Sequence, residues 1–120
     1  MTTEVKRSMR VAERVREEVS MLLRSLSDPR IAGAFVTRVE MTDDLSFARV
    51  FVRRDAGATE DEKSSMLKGL GAALGRIRRD VSRAVGLRVA PNFRFIYDEG
   101  LDAQQRVEEL LRDIEAERSK

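Results

Sequence analysis

Arg76, Arg79 and Arg83 are spaced at i, i+3 and i+7, which on a helix of 3.6 residues per turn aims three guanidinium groups to one side. Guanidinium forks match phosphate oxygens with paired hydrogen bonds, so the stripe suits a nucleic-acid backbone. Solvated basic helix faces also occur without a ligand, and the pattern alone leaves both readings open. Arg78, Arg88 and Arg94 continue the basic run, in which Asp80 is the one acid between residues 76 and 94. Lys6, Arg7 and Arg10 form a second cluster able to extend it. Further along, Arg10 and Arg14 alternate with Glu13, Glu17 and Glu18, where an ion-paired, solvated face is the stronger reading.

Other chemistry falls away. The chain has no cysteine and no histidine, which removes disulfides, thiolates, Cys/His zinc sites, histidine bases and catalytic triads. Gly69-Leu70-Gly71-Ala72-Ala73-Leu74-Gly75 fails as a dinucleotide fingerprint because Leu74 stands where a glycine is needed and no strand leads in. It fails as a phosphate-binding loop because Arg76-Ile77 follows instead of Lys-Ser/Thr. The carboxylate pairs Glu17-Glu18, Asp43-Asp44 and Glu108-Glu109 fall in solvated or turn-like stretches, with no nucleophile to pair with a base. A non-enzymatic protein is expected, with no catalytic residue, metal or cofactor.

The elements that must position the arginines can be read from periodicity. With 120 residues, 42% hydrophobic and 37% charged, with two prolines, the chain has room for one core. The basic start Met1 to Arg10 runs into Glu13, Arg14, Arg16, Glu17 and Glu18 without an apolar segment, so no secretion signal is expected. No apolar run approaches the roughly 20 residues of a membrane span. A cytoplasmic protein follows as the expectation. The net charge is only +2, and the signs are segregated, with residues 76–94 basic and 97–120 predominantly acidic.

Val11, Ala12, Val15, Val19, Leu22, Leu23 and Leu26 share one helical face, predicting a helix from Ser8 to Leu26 with Ser8 as N-cap and Asp28-Pro29 beyond its end. Phe35 to Met41 alternates, with Phe35, Thr37, Val39 and Met41 opposite Val36, Arg38 and Glu40. Thr42 to Ser46 is turn chemistry, and Phe47 to Arg53 alternates again, which predicts an antiparallel hairpin. Thr59-Glu60-Asp61-Glu62 offers a capping box for a second helix. Met66 to Val85 keeps one helical phase, with Ile77, Val81, Ala84 and Val85 opposite the arginine stripe, and Gly86 stops it. Periodicity alone draws one long helix despite Gly69, Gly71 and Gly75, which close packing or a break would explain. Val89 to Tyr97 reads as a third strand whose early residues lie at an edge beside Pro91. Val107, Leu110, Leu111 and Ile114 mark an acidic helix from about Asp102. The expected fold class is α+β, with helices packed on one face of a three-stranded sheet.

Several separated segments resemble the ribosome-binding factor A family over nearly the whole of Lys6 to Leu111. They are Arg7-Ser8-Met9-Arg10-Val11-Ala12-Glu13, Asp28-Pro29-Arg30, Asp43-Asp44-Leu45-Ser46-Phe47-Ala48-Arg49-Val50 and Arg88-Val89-Ala90-Pro91-Asn92-Phe93-Arg94-Phe95-Ile96-Tyr97-Asp98. The resemblance implies a type II KH-like domain in which an Ala-x-Gly kink, here Ala73-Leu74-Gly75, replaces the Gly-x-x-Gly loop. Gly75 is then expected to leave helix geometry or to admit close backbone approach. The resemblance also implies binding to the small (30S) ribosomal subunit and its 16S rRNA, help in late maturation including rRNA 5′-end processing, growth in the cold, and a ribosome-associated GTPase as a releasing partner. Gln104-Gln105-Arg106 departs from the pattern, since many members carry a glycine ahead of the arginine.

These readings divide the chain into an RNA-binding domain, residues 1–100, and an acidic helical tail, residues 101–120, acting as a monomer. RNA contacts are expected from Arg76, Arg78, Arg79, Arg83, Arg88, Lys6, Arg7 and Arg10. The alternatives are a protein-interaction module and a KH-like RNA binder acting outside the ribosome.

Overall fold

The computed structural model describes residues 6–100 and 103–118, with the side chains of the last helix described from residue 107. The first helix, α1, spans Arg7–Ser25 and buries Ala12, Val15, Val19 and Leu23. Each such valine or leucine contributes on the order of 1.5–3 kcal/mol. Ser8 is not the N-cap. The helix begins one residue earlier, with Lys6 at the cap position and no side-chain cap bond. Ser8 instead sits buried in the first turn, where its hydroxyl donates to Asp43 Oδ1 at 3.1 Å. After α1, the Asp28 carboxylate accepts from the Arg30 N–H at 2.9 Å, and the 3-10 turn Pro29–Ile31 plants Ile31 in the core.

Three strands, β1 (Ala34–Met41), β2 (Phe47–Arg54) and β3 (Asn92–Tyr97), form a sheet ordered β1-β2-β3. The first pair is antiparallel and the second parallel. The turn of the hairpin closes on Asp44, whose Oδ1 accepts from the Ser46 hydroxyl at 2.7 Å, the Thr42 hydroxyl at 2.7 Å and the Ser46 N–H at 3.1 Å. These donors favour the charged carboxylate and lower its pKa from the ordinary 3.8 to about 2, the Ser46 hydroxyl contributing most. The third strand starts later than Val89, because Pro91 has no N–H to give and the ladder opens only at Asn92.

The alternation expected for β1 is interrupted. The register passes from Val36 opposite Val52 to Arg38 opposite Phe51, so Thr37 is the extra residue of a bulge. Val36 therefore joins Val39 and Met41 on the core side, and Thr37 and Val39 do not share a face. The Thr37 hydroxyl is held by Asp98 Oδ2 at 2.6 Å.

The crossover from β2 to β3 is made by α2 (Glu60–Ala72) and α3 (Leu74–Val85). Thr59 and Glu62 form the expected reciprocal capping box. The single helical phase is broken at Ala73, with φ −93° and ψ 1°, and Ala73 N–H is shared between the carbonyls of Gly69 and Leu70. Of Gly69 and Gly75, Gly69 is the tightly packed one, since a Cβ there would lie 3.0 Å from Ile31 Cγ2 and 3.1 Å from Arg30 Cβ. Gly75 differs from expectation: it lies within the first turn of α3, and a Cβ there would meet nothing within 4 Å. The bend is carried by Ala73.

Met66, Leu70, Ile77 and Val81 from α2 and α3 join α1 over Ala48, Val50 and Val52 of the central strand. Three helices thus cover one face. The fourth, α4 (Ala103–Arg118), meets the opposite face through ion pairs to Arg49. Leu101 and Asp102, where the domain was expected to pass into its tail, and residues 1–5 lie outside the described residues.

Candidate nucleic-acid interface

α3 presents its two faces as its spacing requires: Ile77 and Val81 are buried, and Arg76, Arg79 and Arg83 are exposed. Ala84 departs from the expected apolar face. It is exposed, and its carbonyl accepts from Arg14 at 3.5 Å, linking α3 to α1. Arg76 and Arg79 flank Asp80 at 3.4 and 3.2 Å. The Arg79 hydrogen bond chiefly, then the Arg76 one, holds the Asp80 carboxyl below its usual range, against the desolvation that raises it. Exposed ion pairs of this kind are weakly held, so both guanidiniums can exchange Asp80 for a more highly charged anion.

A cleft of about 440 Å³ is lined by Gly75, Arg78, Arg79, Ser82, Arg83, Leu87, Arg88 and Ala90. Arg79, Arg83 and Arg88 are exposed around it, and Gly75 leaves one wall without a side chain. The Ser82 hydroxyl is buried and has no hydrogen-bond partner among the described residues. A tetrahedral anion with several acceptor oxygens suits the exposed groups of this cleft: the forked cations of Arg79, Arg83 and Arg88 and the open backbone at Gly75.

The sequence-predicted residues are not all brought together. Arg78, Arg79, Arg83 and Arg88 meet at the cleft, and Arg76 lies on the same helix beside Asp80. Arg78 is engaged within the fold, donating to the carbonyls of Pro91 at 2.8 Å and Ala90 at 2.9 Å. Lys6 stands 3.7 Å from Asp43 at the hairpin turn, and Arg7 and Arg10 are exposed on the first turns of α1. Ser82 was not singled out by sequence reasoning. Its signal was its place on the helix, one turn beyond Arg78 and Arg79. A wider cleft, about 660 Å³, lies between the hairpin turn and α4, but Asp43, Asp44 and Glu117 are among its lining, which disfavours an anion. Among the described residues no helix is long and apolar enough to cross a membrane.

A helix, a hairpin, two helices parted at Ala73 and a final parallel strand define a type II KH-like domain. Residues 7–111 match the family model described as ribosome-binding factor A, and the chain belongs to that family. It is 60% identical over 115 residues to the ribosome-binding factor A of Sorangium cellulosum, covering 95% of this chain and 93% of the relative. It is 45% identical to that of Anaeromyxobacter dehalogenans, covering 94% and 81%. In three dimensions it resembles the Thermotoga maritima protein solved by NMR, with TM-score 0.71, 27% identity and coverage of 86% and 97%. A Thermus thermophilus homology model fitted into the map of a complex with the 30S subunit superposes with TM-score 0.64 at 21% identity, covering 78% and 99%, a likeness of fold.

Proposed function

We propose that the protein binds the small ribosomal subunit through its 16S rRNA, seating backbone phosphates along the α3 arginines and in the adjoining cleft. The observation that carries this reading is the grouping of Arg79, Arg83 and Arg88 around one cleft whose lining includes Ser82 and the bare Gly75. Membership of the ribosome-binding factor A family supports the choice of RNA. The bulk of the contact falls to Arg76, Arg79 and Arg83, with Arg88 at the cleft, Arg78 as a support, and Lys6, Arg7 and Arg10 as a more distant basic cluster. Without an enzymatic reaction of its own, the protein acts as a monomeric cytoplasmic factor in late subunit maturation and rRNA 5′-end processing. A ribosome-associated GTPase serves in its release.

The test is cosedimentation with purified small subunits against the same RNA free in solution. Retention on subunits that falls steeply as salt rises is expected, because phosphate contacts release counterions. Equal retention by free RNA would place the protein off the ribosome, and salt-insensitive retention would make the interface an apolar protein contact.

A further inference from the structure

The face of the sheet turned away from the three packed helices carries its own arginines. Arg49 on the central strand has a side chain only 2% exposed and is ion-paired to Asp113 at 2.9 Å, Glu109 at 3.3 Å and Glu40 at 3.5 Å. Arg94 on β3, half exposed, reaches Asp113 at 3.3 Å. Phe51 anchors the layer: the Arg38 guanidinium lies 3.5 Å and that of Arg49 4.7 Å from its ring centroid. Planar cations stacked on an aromatic, on a strand surface, are a platform for phosphates and unstacked bases.

What covers this platform is acidic and incompletely seated. Glu109 and Asp113 stand one turn apart on α4, where two anions of a strand would stand. The apolar side of α4 contributes little: Leu110 and Ile114 are half-buried beside the 660 Å³ cleft, and Val107 and Leu111 are exposed by 54% and 59%. A helix held mainly by charge over a basic surface is exchangeable for a stronger polyanion.

We propose that α4 is a displaceable acidic cover over a second RNA surface, formed by Arg38, Arg49, Phe51 and Arg94, whose ligand is single-stranded RNA. This rests on the reading that the protein binds RNA, and adds to it a second face and a means of keeping that face closed until an RNA strand displaces the helix. The cover competes with RNA for the guanidiniums of Arg49 and Arg94, while Arg38 is paired to Glu40 and Asp98 outside α4, so the apparent affinity is reduced by the fraction of molecules in which α4 is lifted.

The test uses the full chain with Glu109→Gln and Asp113→Asn, and as control Asp55→Asn with Asp61→Asn, which alters net charge equally at exposed positions remote in sequence from α4. Binding of a fluorescein-labelled short oligouridylate is followed by anisotropy at low salt, and amide exchange reports the docking of α4. Neutralising the cover should accelerate exchange in α4 and tighten RNA binding about tenfold, as for a face open about a tenth of the time. The control should change little, and adding Arg94→Gln to the neutralised helix should cancel the gain. If the double variant loses cooperative unfolding, Asp113→Asn alone should show the same direction at smaller size. Faster exchange with affinity no better than the control, or a gain that survives Arg94→Gln, overturns the proposal. So does binding of a peptide of residues 103–118 to the neutralised chain where the RNA fails to bind, which would assign the face to an acidic protein segment. Wild-type retention on small subunits, measured in parallel, separates failure of the cover from failure of RNA binding itself.

Discussion

Arg78 donates to the carbonyl of Pro91 at 2.8 Å, so the first half of α3 is tied to the residue that immediately precedes β3. The second bond, to Ala90 at 2.9 Å, fixes the loop that forms one wall of the arginine cleft. Charge-assisted bonds of this type contribute about 1.5–3 kcal/mol, and partial exposure puts this tie at the low end. Arg78→Ala should therefore lower stability by about 1.5 kcal/mol, against about 0.5 kcal/mol or less for Arg79→Ala, which loses only an exposed contact with Asp80. Chemical denaturation of the two variants checks this. Equal midpoints would show that the loop is not held by Arg78.

The glycines of the crossover should respond in opposite directions. At Gly75 alanine meets open space and gains about 1 kcal/mol of helix propensity. At Gly69 the same methyl presses on Ile31 and Arg30, and overpacking of about 1–3 kcal/mol outweighs that gain. Thermal unfolding should rise for Gly75→Ala and fall for Gly69→Ala. Subunit binding by Gly75→Ala should nonetheless weaken, because the methyl intrudes where RNA approaches the backbone. A bulkier residue such as Gly75→Val should weaken it further. A Gly75→Ala protein that is more stable and binds as well as wild type would remove Gly75 from the interface.

Asp44 gives a pH signature. Its folded pKa of about 2 lies below the ordinary 3.8, so the turn's contribution is fully present above about 4 and is lost as pH falls through about 2. A carboxyl NMR titration should find its midpoint near 2, with the Ser46 amide moving in step. A midpoint near 3.8 would mean that the Ser46 and Thr42 hydroxyls do not hold the carboxylate in solution.

Removing residues 101–120 should leave a cooperatively folding domain, because the sheet and its three packed helices precede the cut and contain the core. The melting temperature should fall by a few degrees, since Arg49 keeps Glu40 but loses Glu109 and Asp113. A broad, non-cooperative transition would show that α4 is integral to the fold.

The elements legible in the sequence were those specified by neighbours along the chain. The capping box at Thr59 and Glu62, the hairpin around Asp44 and the arginine stripe of α3 each need only local spacing. What escaped depends on residues distant in sequence. Ser8 has the composition of a cap but finds Asp43, 35 residues away. The Thr37 bulge follows from pairing with β2 and from the bond to Asp98. Alternation in β2 gives no sign of how Arg49 is covered; it is buried because β2 is central and α4 closes over it. At the candidate site, spacing marked Arg76, Arg79 and Arg83 correctly as exposed, but could not show that Arg78 is engaged by the loop before β3 or that Ser82 is buried in the cleft lining.

The central claim, that the α3 arginines hold rRNA phosphates, is tested most directly by a salt series of small-subunit binding with Arg76→Gln, Arg79→Gln and Arg83→Gln combined. These side chains are exposed and lie opposite Ile77 and Val81, so the thermal transition should stay close to wild type. Loss of about three phosphate contacts should lower affinity and flatten the slope of log affinity against log salt by about 2 to 3. A folded triple variant with wild-type affinity and an unchanged slope would contradict the account and move the interface to Lys6, Arg7 and Arg10.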